Sequence, residues 1–513
     1  MSGHIAVTAS GGPRHGAVAA GSTATCEAAA QMLRAGGTAI DAAVAGAFAA
    51  TVAEPTLASL GGGGFCLVAE PGEHPRVVDF FVDMPGRDAP GDLVAPMDNL
   101  HVTFGSGVQQ EFHVGWSSVA VPGTLSGLLH LHAQHGRLPL ADVIGPAHRA
   151  ARDGIELDDV QVSFIRVIGP ILTLTPGSAR LFTPPLEGLP FRNPEYADML
   201  SSLAAGVPAA TAFAGPIAAN MARHHGLVTM ADLVDYAAVD RAPIGARRDD
   251  AWIWTNPPPA FGGAIVLESL GLVPQHDPWP ALPEALASAT QRHRAGAQVR
   301  RGTTHLSVVD ADGRVAALSL SNGSGSGTVA AGVPLNNMLG EADLHPDGFH
   351  SLPPGERLSS MMAPTLAVSD DGSLLAMGTG GSERIRSALV QVLVRALDQG
   401  EDLASAISAP RLHVSDAGID VEPGLSADRM AALAGARVWP APDLFFGGVH
   451  AVTRDPSGRV TAARVPGHGG RRYAPRWCGR GRCLVALCAE HERDLTLLAV
   501  AHDRQGDLIA RCQ

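Results

Sequence analysis

Apolar and polar positions along this chain follow two different periods, and the switches between them mark out its elements. Residues 306–309 and 315–320 alternate as half-buried strands do, and Asp310-Ala311-Asp312-Gly313 between them has the composition of a β-hairpin turn. Shorter strand-like runs cover 65–69, 77–82 and 374–377. Apolar spacing predicts helices over 27–34, 38–53, 128–135, 140–153, 194–205, 217–225, 230–235, 387–399 and 403–409. Helices and strands mix in the first third, helices fill the middle, and strands return after residue 303. That order predicts an α+β fold.

Two stretches break the pattern. The run 38–53 is almost continuously apolar, yet its fifteen or so residues are too few to span a bilayer comfortably, and Asp41 lies within it. Thr38 and Asp41 form a capping-box-like start and Glu54-Pro55 ends the run, so a buried helix is expected. Residues 274–302 are polar and basic, with Arg292, Arg294, Arg300 and Arg301 and no apolar period after Ala287; they read as a mobile linker.

Composition narrows the class. A chain of 513 residues with 46% hydrophobic content can bury a large core, and its 60 glycines and 38 prolines are dispersed among short loops rather than gathered in a low-complexity tail. The net charge of −13, with no basic-aromatic stripe, argues against a nucleic-acid surface. Residues 1–22 lack a charged segment followed by an apolar one, so the expectation is a cytoplasmic protein that does not engage a membrane. Cys26 and Cys66 read as core thiols. Cys478, Cys483 and Cys488 do not match a zinc spacing and no His pair completes them, so neither metal nor organic cofactor is expected. They belong to an Arg/Cys-rich tail over 467–513, whose composition differs from the rest and whose role composition does not give.

Candidate chemistry centres on Gly302-Thr303-Thr304-His305, which opens the strand at 306–309. Two β-branched residues at a strand start are, by themselves, ordinary. A threonine hydroxyl becomes a nucleophile when a base adjoins it, and cutting the 302–303 bond would supply one in the freed α-amine, whose unperturbed pKa is about 8. Downstream lie groups such a nucleophile needs. Ser319 and Ser321 share one strand face, followed by Asn322. Ser359-Ser360 is a hydroxyl pair, and Gly380-Gly381-Ser382 joins a strand to a helix, where backbone N–H groups can meet a developing oxyanion.

In this order the motifs resemble the γ-glutamyltranspeptidase family of N-terminal-nucleophile (Ntn) hydrolases, over residues 14–465. The likeness includes Gly36-Gly37-Thr38-Ala39-Ile40-Asp41, Leu60-Gly61-Gly62-Gly63-Gly64-Phe65, Ser118-Val119-Ala120-Val121-Pro122-Gly123-Thr124 and Asn256-Pro257-Pro258-Pro259. It continues through Thr303-Thr304-His305, Leu335-Asn336-Asn337, Leu358-Ser359-Ser360-Met361 and Gly380-Gly381-Ser382. The resemblance implies a four-layer αββα sandwich made as one precursor. It would cleave itself between Gly302 and Thr303 into interleaved fragments 1–302 and 303–513 that stay associated. It also implies Thr303 as nucleophile, Ser321 as the hydroxyl bonded to it, Asn322 (allowing a one-residue gap) near the new amine, and Gly380 and Gly381 as oxyanion hole. Ser359 and Ser360 would contact the substrate α-carboxylate.

The chain departs from the family at two places. Where family members have an arginine that clamps the α-carboxylate of the glutamyl group, this chain has Phe81; Arg87 is the candidate substitute. After Asn337 the family's acidic residue for the α-amino group is missing in register, and Glu341 stands closest. The self-cleaving chemistry is thus better supported than γ-glutamyl specificity, and the activity the resemblance implies by default is hydrolysis or transfer of γ-glutamyl amides such as glutathione, with water or an amine as acceptor. The alternatives are an acylase for a different small amide, of cephalosporin-acylase type, and an uncut, non-catalytic scaffold.

Overall fold

Alternation at 306–309 belongs to a strand in the middle of a sheet. Gly302–Val309 pairs antiparallel with His15–Ala20 on one side and Val315–Gly323 on the other. The sheet continues through Gly63–Ala69, Arg76–Phe80 and Val239–Arg241, and Leu487–Ala489 closes its other edge. A second seven-stranded antiparallel sheet runs in the order Val7–Gly11, Val460–Arg464, Val449–Arg454, Leu374–Thr379, Thr365–Ser369, Ala251–Thr255, Ile244–Arg248. The computed structural model describes residues 7–11, 15–88, 96–103, 109–183, 189–293, 302–345, 348–464 and 487–489.

The two sheets pack face to face, with helices outside both. Side chains alternate across the strand Gly302–Val309 accordingly. Leu306 and Val308 join the core between the first sheet and its helices, whereas Val309 joins the core between the sheets. Helices Thr23–Arg34 and Ala39–Ala53 cover the first sheet, and Gly262–Leu272 and Arg384–Leu393 cover the second. This is the four-layer αββα architecture that the resemblance implied.

Every residue of Ala39–Ala53 is buried, which its alanines permit by letting neighbouring helices approach closely. Thr38 and Asp41 form the expected capping box, and Asp41 also accepts hydrogen bonds from the backbone N–H of Arg137. Wholly buried side chains such as Phe48 contribute about 1.5–3 kcal/mol each. Burial also pushes the Cys26 thiol up to about 11, and Cys26 and Cys66 are free core thiols as expected.

Several expectations change. Part of the presumed linker 274–302 is the helix Leu282–His293. Its buried stripe of Leu282, Ala285, Leu286 and Ala289 is half alanine, too faint a period to see without the neighbouring helix it packs on. Residues 294–301 lie outside the described residues, as does the tail beyond 464 apart from Leu487–Ala489. The strand expected over 77–82 stops at Phe80, because the Tyr236 hydroxyl donates to the Phe81 carbonyl and draws the chain out of the sheet. The hairpin Asp98–Thr103/Gln109–Val114 and the strands Val449–Arg454 and Val460–Arg464 were not among the expected elements. Among the described residues no helix is long and apolar enough to cross a membrane, and no group of three or more His, Cys, Asp or Glu is placed to hold a metal.

Candidate active site

Thr303 faces the space between the sheets at the end of its strand, 8% exposed. The hairpin carries a β-bulge at this point: Gly302 pairs with Gly323 and Thr303 with Ser321, so Asn322 is the extra residue. The bulge brings three atoms into line. Thr303 Oγ1 donates to Ser321 Oγ at 3.3 Å, and Ser321 Oγ donates to the Gly302 carbonyl oxygen at 2.7 Å. The Gly323 N–H donates to the same Ser321 Oγ at 3.2 Å, which fixes the hydroxyl's rotamer. Asn322 lies in the bulge with its side-chain oxygen buried and unpaired among the described residues.

Gly380 closes over Thr303 from the second sheet. A Cβ at Gly380 would overlap the Thr303 carbonyl oxygen, so only glycine allows the turn to approach this near. Gly381 follows at φ +121°, a conformation side chains rarely adopt, and the helix Arg384–Leu393 begins directly after. Backbone N–H groups at such a strand-to-helix turn suit a negative charge.

The cleft around Thr303 is lined by Phe81, Ser321, Met338, Ser360, Met361, Met362, Ser382 and Ile385. Ser360 is therefore at the site, its Oγ accepting from the Met362 N–H at 3.1 Å. Ser359 is not among the lining residues; its hydroxyl donates to the Leu344 carbonyl. Glu341 is buried behind the turn that follows the bulge, where its Oε1 accepts from the Ser324 N–H at 3.3 Å.

Arg87 does not take the place of the missing arginine. Its backbone N–H and its guanidinium both turn to the buried Asp232 carboxylate, at 2.9 and 4.0 Å, and its side chain lies across Gly355. The vacated position belongs to Phe81, which is buried and stacked on Phe65 with ring centroids 5.5 Å apart. Arg357 stands nearby, but Asp79 (2.7 Å) and Asp83 (2.5 Å) hold its guanidinium in place. No cationic side chain lines the cleft among the described residues.

Sequence reasoning passed over His305, two residues beyond Thr303 on the same strand face. Its ring bridges Ser319 Oγ (2.8 Å) and Ser307 Oγ (2.9 Å), and Ser307 donates to the His450 carbonyl in the opposite sheet. Burial, helped by neighbouring His450, pushes the His305 imidazole well below its ordinary range, so it is neutral. Its position beside Thr303 was the available signal; its ring partners lie in the same hairpin, and the packing of the two sheets buries it and joins Ser307 to His450.

A model of the family described as gamma-glutamyltranspeptidase matches residues 25–296 and 277–472. Among curated relatives, the chain is 26% identical to a glutathione hydrolase proenzyme of Escherichia coli (strain K12), covering 88% of this chain and 90% of that one. It is 30% identical to an acylase ACY 1 proenzyme of Pseudomonas sp. (strain V22), covering 85% and 89%. A solved structure of cephalosporin acylase from Bacillus halodurans superposes with a TM-score of 0.74 at 24% identity, over 89% of this chain and 95% of that one, and shows the same Ntn-hydrolase fold.

Proposed function

The chain belongs to the gamma-glutamyltranspeptidase family and is an Ntn hydrolase or transferase, and on that premise we propose a precursor that cuts itself before Thr303 and then hydrolyses small acyl amides. One observation carries this reading: the chain of hydrogen bonds from Thr303 Oγ1 through Ser321 Oγ to the Gly302 carbonyl. Thr303 Oγ attacks the Gly302 carbonyl carbon and passes its proton to Ser321, which passes its own to the carbonyl oxygen. The tetrahedral adduct collapses with cleavage of the 302–303 C–N bond. The nitrogen takes up the proton and becomes the Thr303 amine, and the acyl part moves to Oγ as an ester. Water then hydrolyses that ester, leaving a Gly302 carboxylate and a free hydroxyl.

In the mature enzyme the Thr303 amine takes the Oγ proton as it attacks the substrate amide, and returns it to the leaving amine. The Gly380-Gly381 turn stabilises the oxyanion, Asn322 accepts a hydrogen bond from the amine, and water releases the acyl group. Fragments 1–302 and 303–513 remain associated because each contributes strands to both sheets.

The acyl group best suited to this cleft lacks an α-carboxylate at the position of Phe81. Phe81, Met338, Met361, Met362 and Ile385 offer an apolar wall, and no guanidinium joins it among the described residues. This supports an acylase over a γ-glutamyl hydrolase. The second reading, a γ-glutamyl hydrolase acting on glutathione-like amides, is supported by the names of relatives such as the Escherichia coli protein. A denaturing gel with N-terminal sequencing of the smaller band tests the cleavage: the band begins at Thr303, and Thr303→Ala remains one chain. Comparing γ-glutamyl, glutaryl and longer acyl anilides then ranks the substrates, and preference for the γ-glutamyl compound would reverse the assignment.

A further inference from the structure

The loop after helix Ala39–Ala53 holds a carboxylate that the chemistry above does not use. Glu54 is 2% exposed, and both of its oxygens are taken by threonines: Thr304 Oγ1 donates to Oε2 at 2.5 Å and Thr25 Oγ1 to Oε1 at 2.7 Å. Thr25 shares a further hydrogen bond with Ser22 Oγ at 2.8 Å. Gly21 packs so tightly on the carboxyl group that a Cβ there would overlap it. Two residues along, the Thr56 carbonyl presses on Gly302, where a Cβ would come within 2.6 Å of it. One short loop therefore grips both sides of the 302–303 bond: Gly302 by backbone packing and Thr304 by Glu54.

The group has no cation in contact among the described residues. Arg464 is the neighbouring positive charge, but its Nη1 serves the carbonyls of Gly21 (2.9 Å) and Ala20 (3.4 Å). Asp158 and the Cys26 thiol also face this region and offer no compensation. A buried carboxylate so placed is costly to ionise, and burial pushes Glu54 above the usual carboxyl range.

We infer that Glu54 is a positioning residue for self-cleavage, whose carboxyl group accepts from Thr304 and so holds Thr303 Oγ over the Gly302 carbonyl. This rests on the cleavage reading above and adds to it. Thr304 points away from the inter-sheet space, so its hydroxyl cannot take part in the chemistry itself. It acts through the backbone it shares with Thr303.

The test follows newly synthesised full-length precursor by denaturing gel and intact mass. Glu54→Ala and Thr304→Val slow cleavage at least about tenfold, and Glu54→Gln, of the same shape and still able to accept from Thr304, recovers most of the rate. Thr304→Val keeps the volume of threonine, so it reports even if Glu54→Ala fails to fold. Wild-type rates in both Glu54→Ala and Thr304→Val overturn the inference, and so does a Glu54→Gln chain as slow as Glu54→Ala. A wild-type chain that is never cut at 302–303 would instead sink the reading beneath it.

Discussion

Replacing Ser321 with alanine tests the cleavage geometry most directly. The hydroxyl has three partners: it accepts from Thr303 Oγ1 at 3.3 Å and the Gly323 N–H at 3.2 Å, and donates to the Gly302 carbonyl at 2.7 Å. Removing one donor from a developing oxyanion costs about 100–1000-fold in rate. Losing the proton acceptor for the attacking hydroxyl adds about 100-fold, at the low end for acid–base assistance. The fold tolerates the change: losing the buried partner of the Gly323 N–H costs about 1–3 kcal/mol, against a total stability of about 5–15 kcal/mol. Ser321→Ala is therefore expected to fold and to mature at least about 1000-fold more slowly, whereas Ser321→Thr stays within about tenfold of wild type. Cell-free synthesis, quenching at intervals and quantifying the two fragments on a denaturing gel gives the half-times. If Ser321→Ala matures within about threefold of wild type, Ser321 has no part in cleavage and the relay is refuted.

Other expectations follow from single contacts. Gly380→Ala places a methyl group on the Thr303 carbonyl, so it lowers stability by about 1–3 kcal/mol in thermal melts and blocks maturation; normal fragments would show that the turn does not close on Thr303. Arg87→Ala changes kcat/KM for acyl anilides less than about twofold, since Arg87 answers to Asp232 rather than to the cleft; a selective loss with a γ-glutamyl anilide would return Arg87 to the site. Buried His305 is held well below its ordinary range and His450 is lowered to about 3, in both cases chiefly by burial. Both are neutral when folded and take up protons on unfolding, so stability is full above the ordinary histidine range. It falls by about 1.4 kcal/mol per pH unit for each group as pH drops below about 6.5. Denaturant melts between pH 4 and 7, repeated on His450→Gln, should show a slope about one proton smaller in the variant.

Local patterns settled much of this protein. The strand at 306–309, its hairpin turn at Asp310–Gly313 and the capping box of Thr38 and Asp41 all lie between near neighbours in sequence, where alternation and turn chemistry act over a few residues. Thr303, Ser321 and the Gly380-Gly381 pair were singled out through the resemblance to a known family, and the fold brings Thr303, Ser321 and Gly380 together. Contacts made across the chain were not legible. Glu54 meets Thr304 from 250 positions away, and Arg87 is claimed by Asp232, 145 positions on. The faint alanine stripe of Leu282–His293 becomes a helix only against its neighbour, and of the pair Ser359-Ser360 the fold turns just the second toward the cleft. A sequence writes which residues tend toward strand, cap or nucleophile; which buried groups find one another depends on how two sheets and their covering helices close, because hydrogen bonds and packing act over ångströms in space and not along the chain.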